Sequence, residues 1–225
     1  MTARRTIVAC AWRATARLRA LARDTRAVSM IELALILPIL ITLGLFGVEL
    51  ANLTSVSMQV ADLASSVADN ASRLGQTDNS AVTPTVKETD VDAVMLGAIE
   101  QGAGFDFQAN GRIILSSLEL DQATNRQYIH WQRCRGALGQ DSAYGREGFG
   151  KTGATLDGMG EKDHLITAPP LMAVMYAEVY YRYEPLFGTM FIKPALFRRE
   201  AAYLIRDDRN LVPGVTGGNG KSLCT

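Results

Sequence analysis

The sequence predicts an α+β fold: a long N-terminal transmembrane helix runs into a head with a short second helix and a mainly antiparallel sheet of about four strands. Three observations predict it. Leu33 to Val48 holds no charged residue and is closed by Glu32 and Glu49. An apolar stripe at three- and four-residue steps carries on beyond that run. The second half of the chain alternates short β-rich segments with Gly- and Pro-rich connections.

Residues 1–27 come first, as a basic leader. Seven of the 23 basic residues but only one of the 23 acidic residues precede Val28, leaving sixteen against twenty-two beyond it. A net charge of zero therefore hides a basic tail and a mildly acidic body. Excess arginine marks the cytoplasmic side of a span, so the expected topology is a cytoplasmic N-terminus and a periplasmic or extracellular head. The leader reads as a topology signal in preference to an amphipathic helix on the inner leaflet.

Residues 28–52 form the transmembrane helix. At about 1.5 Å per residue, Glu32 and Glu49 stand about 25 Å apart, close to the roughly 30 Å of a hydrocarbon core. No polar face interrupts the run, as a core helix of a soluble domain would require. The run is too long for the h-region of a cleaved secretory signal and no clear A-x-A site follows it, so the anchor is expected to be retained. Pro38, Gly44 and Gly47 suit a membrane helix, and small residues can mark a close helix contact.

The run Ala27-Val28-Ser29-Met30-Ile31-Glu32 places an acid five residues into the apolar segment, where burial costs free energy unless the acid is paired. Together with Pro38, Gly44, Gly47 and Glu49, this segment resembles the N-terminus of type IV pilin-like proteins, and more closely the TadE/TadG-type pseudopilins of tight-adherence (Flp) pilus systems. The resemblance implies a processing site between Ala27 and Val28, where the family usually has glycine before the cut, and a prepilin-type peptidase as a partner. It further implies that Glu32 pairs with the new Val28 amine of a neighbouring subunit. Other pilus subunits, assembly-platform proteins and the inner membrane are the remaining implied partners, and the implied fold is pilin-like.

Residues 53–225 make the head. Leu53, Val56, Val60, Leu63, Val67, Ala71 and Leu74 continue the helix over 53–74, with Gly75 as its stop. One helix of about 47 residues, roughly 70 Å long, is expected. Its stripe either packs on the head or zips two copies into a coiled coil. Residues 76–88 read as a polar loop, and Thr89 to Asp92 as an imperfect capping box for a helix that ends at Gly102 and Gly104. Asn110-Gly111 is a turn signal. Strands are expected over Arg112 to Leu120, Gln127 to Arg135, Met172 to Glu184 and Glu200 to Arg206, the first two joined as a hairpin through Asp121 to Arg126. In the second strand Tyr128, His130, Gln132 and Cys134 share one side. The tyrosines of the third suit a half-buried sheet, and Tyr181, Tyr183, Pro185 and Leu186 match a TadE-like strand end. Gly136 to Lys162, with eight glycines, reads as a mobile loop or excursion, and Val212 to Thr225 as a glycine-rich tail.

Cys10 lies in the leader, which leaves Cys134 and Cys224 as the exported pair, and an oxidising compartment permits a disulfide between them. No cofactor or metal is expected, since His130 and His164 share no ligand spacing with the cysteines. No G-x-S-x-G, H-E-x-x-H or Walker pattern occurs, so the chain does not read as an enzyme. Nor does it read as a nucleic-acid binder, because no recognition module accompanies the arginines. Two function classes remain. One is a minor pseudopilin-like structural component for assembly of a tight-adherence pilus or related secretion machine; the other is a single-pass, membrane-anchored periplasmic sensor or binding module.

Overall fold

The computed structural model describes residues 25–75, 83–206 and 208–224. The basic leader up to residue 24, including Cys10, lies outside them. The chain divides into two compact units, Met1–Leu50 and Ala51–Thr225. Among the described residues, the first unit is helical throughout. Its helix, α1 (Thr25–Ser72), is continuous into the second.

In the first unit the large apolar side chains from Val28 to Leu43 are exposed, Met30 and Leu35 at 69%, whereas Leu45 is half-buried. Pro38 sits inside the helix. It withholds one backbone N–H from the ladder, and Thr42 Oγ1 donates to its carbonyl at 2.7 Å.

In the second unit the stripe of α1 is buried. Val60, Leu63, Ala64, Val67, Ala68 and Ala71 all have 0 or 1% exposure. The helix stops at Ser72, followed by Gly75 at φ +91°, where a side chain would be strained. Because the stripe is occupied by the head itself, the coiled-coil alternative has no apolar seam left to use.

A four-stranded antiparallel sheet has the order β3-β2-β4-β5, from β2 (Gly111–Asp121), β3 (Arg126–Arg135), β4 (Ala173–Tyr183) and β5 (Ala195–Leu204). A two-stranded parallel sheet joins β1 (Val86–Lys87) to β6 (Val215–Thr216). One face of the large sheet carries Ile113, Leu115, Trp131, Met175, Ala177, Val179 and Tyr181 against α1. Helix α2 (Glu88–Gln101) and the short α3 (Phe107–Asn110) close this core through Val91, Met95, Ile99 and Phe107.

The opposite face is covered too, which corrects the half-buried sheet expected from the sequence. Leu118, Ile129, Val174 and Tyr176 pack with Met159 and Ala168, and Ile114, Cys134 and Tyr180 pack with Leu138. The cover is the glycine-rich stretch after Gly136, expected as a mobile loop or an excursion, and it is the second. It is pinned by bridges from Gln127 to Leu156 and from Met159 to Ile166. Glycine is needed at Gly136 and Gly150, where φ is +111° and +91° and an added Cβ would lie 2.3 Å from a backbone oxygen.

Other expectations shift in detail. Helix α2 begins at Glu88 after Lys87 with no side-chain cap, so Thr89 caps nothing. Residues 76–82 of the expected loop lie outside the described residues, and its end holds β1 instead. Asn110 closes α3 rather than making a hairpin turn. Strand β5 starts at Ala195, earlier than Glu200, because its partner β4 is long enough to pair with it from Tyr183 onward. The C-terminal tail is not loose: it contributes β6 and bridges Arg133 through Leu223.

Candidate assembly site

The helix of the first unit presents the residues singled out by sequence on an apolar background. Ala27 and Val28 lie inside α1, and the Glu32 side chain is exposed between Ile31 and Leu33, themselves 61% and 54% exposed. Nothing lies within 4 Å of where a Cβ on Gly44 or Gly47 would stand, so both leave an open notch on the helix surface. Glu49 is fully buried. The two glutamates that close the apolar run thus differ: one is open to a partner and the other is enclosed.

Among the described residues of the head, three polar clusters stand out, and of their contacts the sequence predicted the Cys134–Cys224 bridge. The first clamps the C-terminal tail. The buried Arg133 guanidinium donates to Glu88 at 3.0 Å from Nε and 2.5 Å from Nη2, and to Glu147 at 3.0 Å from Nη1. The hydrogen bonds to Glu88, outweighing the cost of burial, raise the Arg133 pKa further. Gly220 passes so close to Glu88 that a Cβ would come within 2.2 Å of Oε2. Asp92 then accepts from the Lys221 amide at 2.9 Å and the Ser222 hydroxyl at 2.5 Å. Burial opposes the ionised form of Asp92, but these donors prevail and lower its pKa. The Cys134 amide donates to Ser222 O at 2.6 Å, and the Cys134–Cys224 disulfide, with an S–S distance of 2.04 Å, closes the tail over the β3 edge. An edge that would otherwise offer free backbone groups is covered.

The second cluster lies between the sheet and the glycine-rich cover. Glu178 and Glu200 are cross-strand partners. Glu178 is fully buried, accepting from the Ser142 hydroxyl, from the Ala143 amide at 3.0 Å and from Tyr180 Oη at 2.9 Å. Burial raises its pKa despite those donors. Tyr144 Oη donates to Glu200 at 3.1 Å and accepts from the Gly160 amide at 2.9 Å, and Arg198 pairs with Glu200. Burial also raises the Tyr176 and Tyr180 pKa values, so both phenols stay protonated. An acid in the middle of MAVMYAEVYY was the available signal for this cluster; its partners, from the remote segment 142–160, gave none.

The third cluster follows from a β-bulge. The β2–β3 register shifts between Ser117, opposite Trp131, and Leu118, opposite Ile129, so His130 is the extra residue. The shift overturns the expected alignment: Gln132 and Cys134 keep one face while Tyr128 and His130 turn to the other, beside Glu119. His130 Nδ1 lies 2.9 Å from Glu119 Oε2, and Ser117 Oγ donates to Oε1 of the same carboxylate at 2.8 Å. Burial, then the adjacent Glu119 charge, pushes the Tyr128 pKa to about 12. Serine and histidine both address the carboxylate and not each other, so no serine nucleophile is activated. Among the described residues, no group of three or more His, Cys, Asp or Glu side chains is arranged to hold a metal ion.

The polar side chains of these three clusters are engaged with one another, whereas the first unit holds an exposed acid on an apolar helix long enough to cross a membrane. Comparison with known families adds one finding. Residues 27–69 match the family described as TadE-like protein. No curated protein and no solved structure matches the chain.

The TadE-like segment starts at Ala27 and takes in Val28, Glu32, Pro38, Gly44, Gly47 and Glu49. It also runs on through Val56, Val60, Leu63 and Val67, the stripe that α1 buries in the head. The sheet, the cover and the disulfide all lie outside the TadE-like match.

Proposed function

We propose that this chain is a minor pseudopilin-like structural component in the assembly of a tight-adherence pilus or related secretion machine. The observation that carries the proposal is Glu32, an exposed carboxylate five residues after Ala27 in a TadE-like helix whose other side chains there are apolar. In a bilayer such a carboxylate costs free energy unless paired. A neighbouring subunit or platform protein supplies its cationic partner. Cleavage by a prepilin-type peptidase after Ala27 would create one such cation, the Val28 amine.

The arginine asymmetry supports an inner-membrane protein with residues 1–27 in the cytoplasm, 28–52 in the bilayer and 53–225 in the periplasm or outside. A disulfide in the head suits the oxidising side. The structural role leaves no step of chemistry for the chain to perform, and the internally satisfied polar clusters of the head support that reading.

The test is Glu32→Gln, which keeps size and removes charge. A passive anchor inserts as well or better, because a buried acid was a cost. The assembly role predicts wild-type abundance in the membrane fraction together with loss of piliation and of co-purification with other pilus components. Unchanged piliation and co-purification would remove Glu32 from assembly.

A further inference from the structure

Within the head, α1 and β4 run antiparallel and are tied at both ends. The amides of Arg206 and Ile205, after β5, donate to Ser72 O at 3.4 Å and Ala173 O at 3.0 Å, so β4 begins level with the end of α1. At its other end Asn52 Nδ2 donates to Tyr183 Oη at 2.9 Å. The spans agree: twenty helical residues rise about 30 Å and ten extended ones about 33 Å. The connection 184–194 therefore leaves the sheet at the level where the chain enters the head, since Asn52 follows the apolar run by two residues.

That connection, EPLFGTMFIKP, is unlike its counterpart at the far end. The β2–β3 turn, 122–125, reads QATN, whereas 184–194 carries Leu186, Phe187, Met190, Phe191 and Ile192. Leu186 is 58%, Phe187 36% and Met190 75% exposed, and Leu196 on the adjoining β5 is 52% exposed. Arg182 and Lys193 flank the group and are exposed. A contiguous exposed apolar patch rimmed by charge marks a contact surface with a partner or a membrane.

We propose that 184–194 is an interfacial foot: it seats the head on the bilayer by inserting Leu186, Phe187 and Met190 between lipid headgroups, with Arg182 and Lys193 reaching the phosphates. The occupant is lipid because the patch lies at the level where the chain leaves the apolar run. Interfacial segments bury their apolar face about 5–10 Å deep, and basic side chains beside them snorkel to the headgroups. Such a foot fixes the angle of the head and so the direction in which it meets other subunits. This inference rests on reading the apolar run as a membrane span.

The full chain, carrying Cys10→Ser and its native disulfide, is reconstituted in phosphatidylcholine–phosphatidylglycerol vesicles. A polarity-sensitive dye is placed in turn on Met190→Cys, Leu40→Cys and Gln122→Cys. A nitroxide carried high on the lipid acyl chain should quench the dye at 190 about twofold or more, as expected for a depth within the interface, while aqueous iodide reaches only the dye at 122. If the dye at 190 behaves like that at 122, or is shielded from both quenchers as a second copy of the chain would shield it, the foot is refuted. The dye at 40, read against a nitroxide near the end of the acyl chain, keeps the two readings apart. Lipid quenching there with none at 190 refutes the foot and leaves the span standing; no lipid quenching at 40 removes the span and the foot with it.

Discussion

Helix α1 is one uninterrupted helix with two different surfaces. From Val28 to Leu43 its large apolar side chains are exposed; from Val56 to Ala71 an apolar stripe is buried. Both stretches read as hydrophobic helix, yet their side chains answer to different solvents. The first is greasy all round, as lipid requires. The second alternates valine and leucine with alanine on one side and carries Gln59, Asp62 and Asp69 on others, as a sheet on one side and water on the rest require. The lesson is that a long apolar helix is not a single feature: an all-round apolar pattern and an apolar stripe call for different surroundings.

The same substitution in the two halves gives the largest contrast. Leu63→Ala should cost the head about 2–5 kcal/mol, because a fully buried side chain is removed and a cavity is left. Leu40→Ala should leave the urea midpoint of the head unchanged. Equal losses at both positions would break the distinction. Next in size is the disulfide, which closes the sequence between residues 134 and 224. Replacing both cysteines by serine should cost about 2–4 kcal/mol in the head, with no change in the fraction of protein held in membranes.

A smaller effect depends on pH. Glu178 has a folded-state pKa raised above 4.5, first by burial. Its contribution is therefore complete below the unfolded value and is lost as pH rises through the folded one, since above 4.5 the unfolded chain ionises more readily. Urea midpoints followed upward from pH 4.5 should fall for the wild type and fall less for Glu178→Gln; parallel curves would show that Glu178 is not the group responsible. The smallest effect belongs to the open side of the outer half. Met58 is 67% exposed, so Met58→Gln should change stability by less than about 0.5 kcal/mol. A large loss there would mean that this face of α1 is covered.

Much of the molecule could be read from sequence because the relevant physics is local. Sixteen uncharged residues between two glutamates specify a membrane-length helix, a three-four stripe specifies its continuation, β-branched and leucine residues mark β2, and alternation marks β3 and β4. The pairing of Cys134 with Cys224 follows from elimination once the leader is set aside. Glu32 is conspicuous for the same reason, as an acid where the local pattern calls for an apolar residue.

The rest was decided by pairings between distant segments, which no local window contains. The bulge at His130 turns Tyr128 and His130 away from Gln132 and Cys134, because β3 must stay in register with β2 on both sides of it. The glycine-rich stretch after Gly136 is ordered because it covers apolar side chains that the strands leave on their second face. Arg133 and Glu88 can be buried only together, since each charge offsets the cost of desolvating the other. Hydropathy and spacing depend on neighbours along the chain, and they determined the anchor, the long helix and the strands. Burial of charge, strand register and the docking of the tail depend on neighbours in space, and only the folded head brought those together.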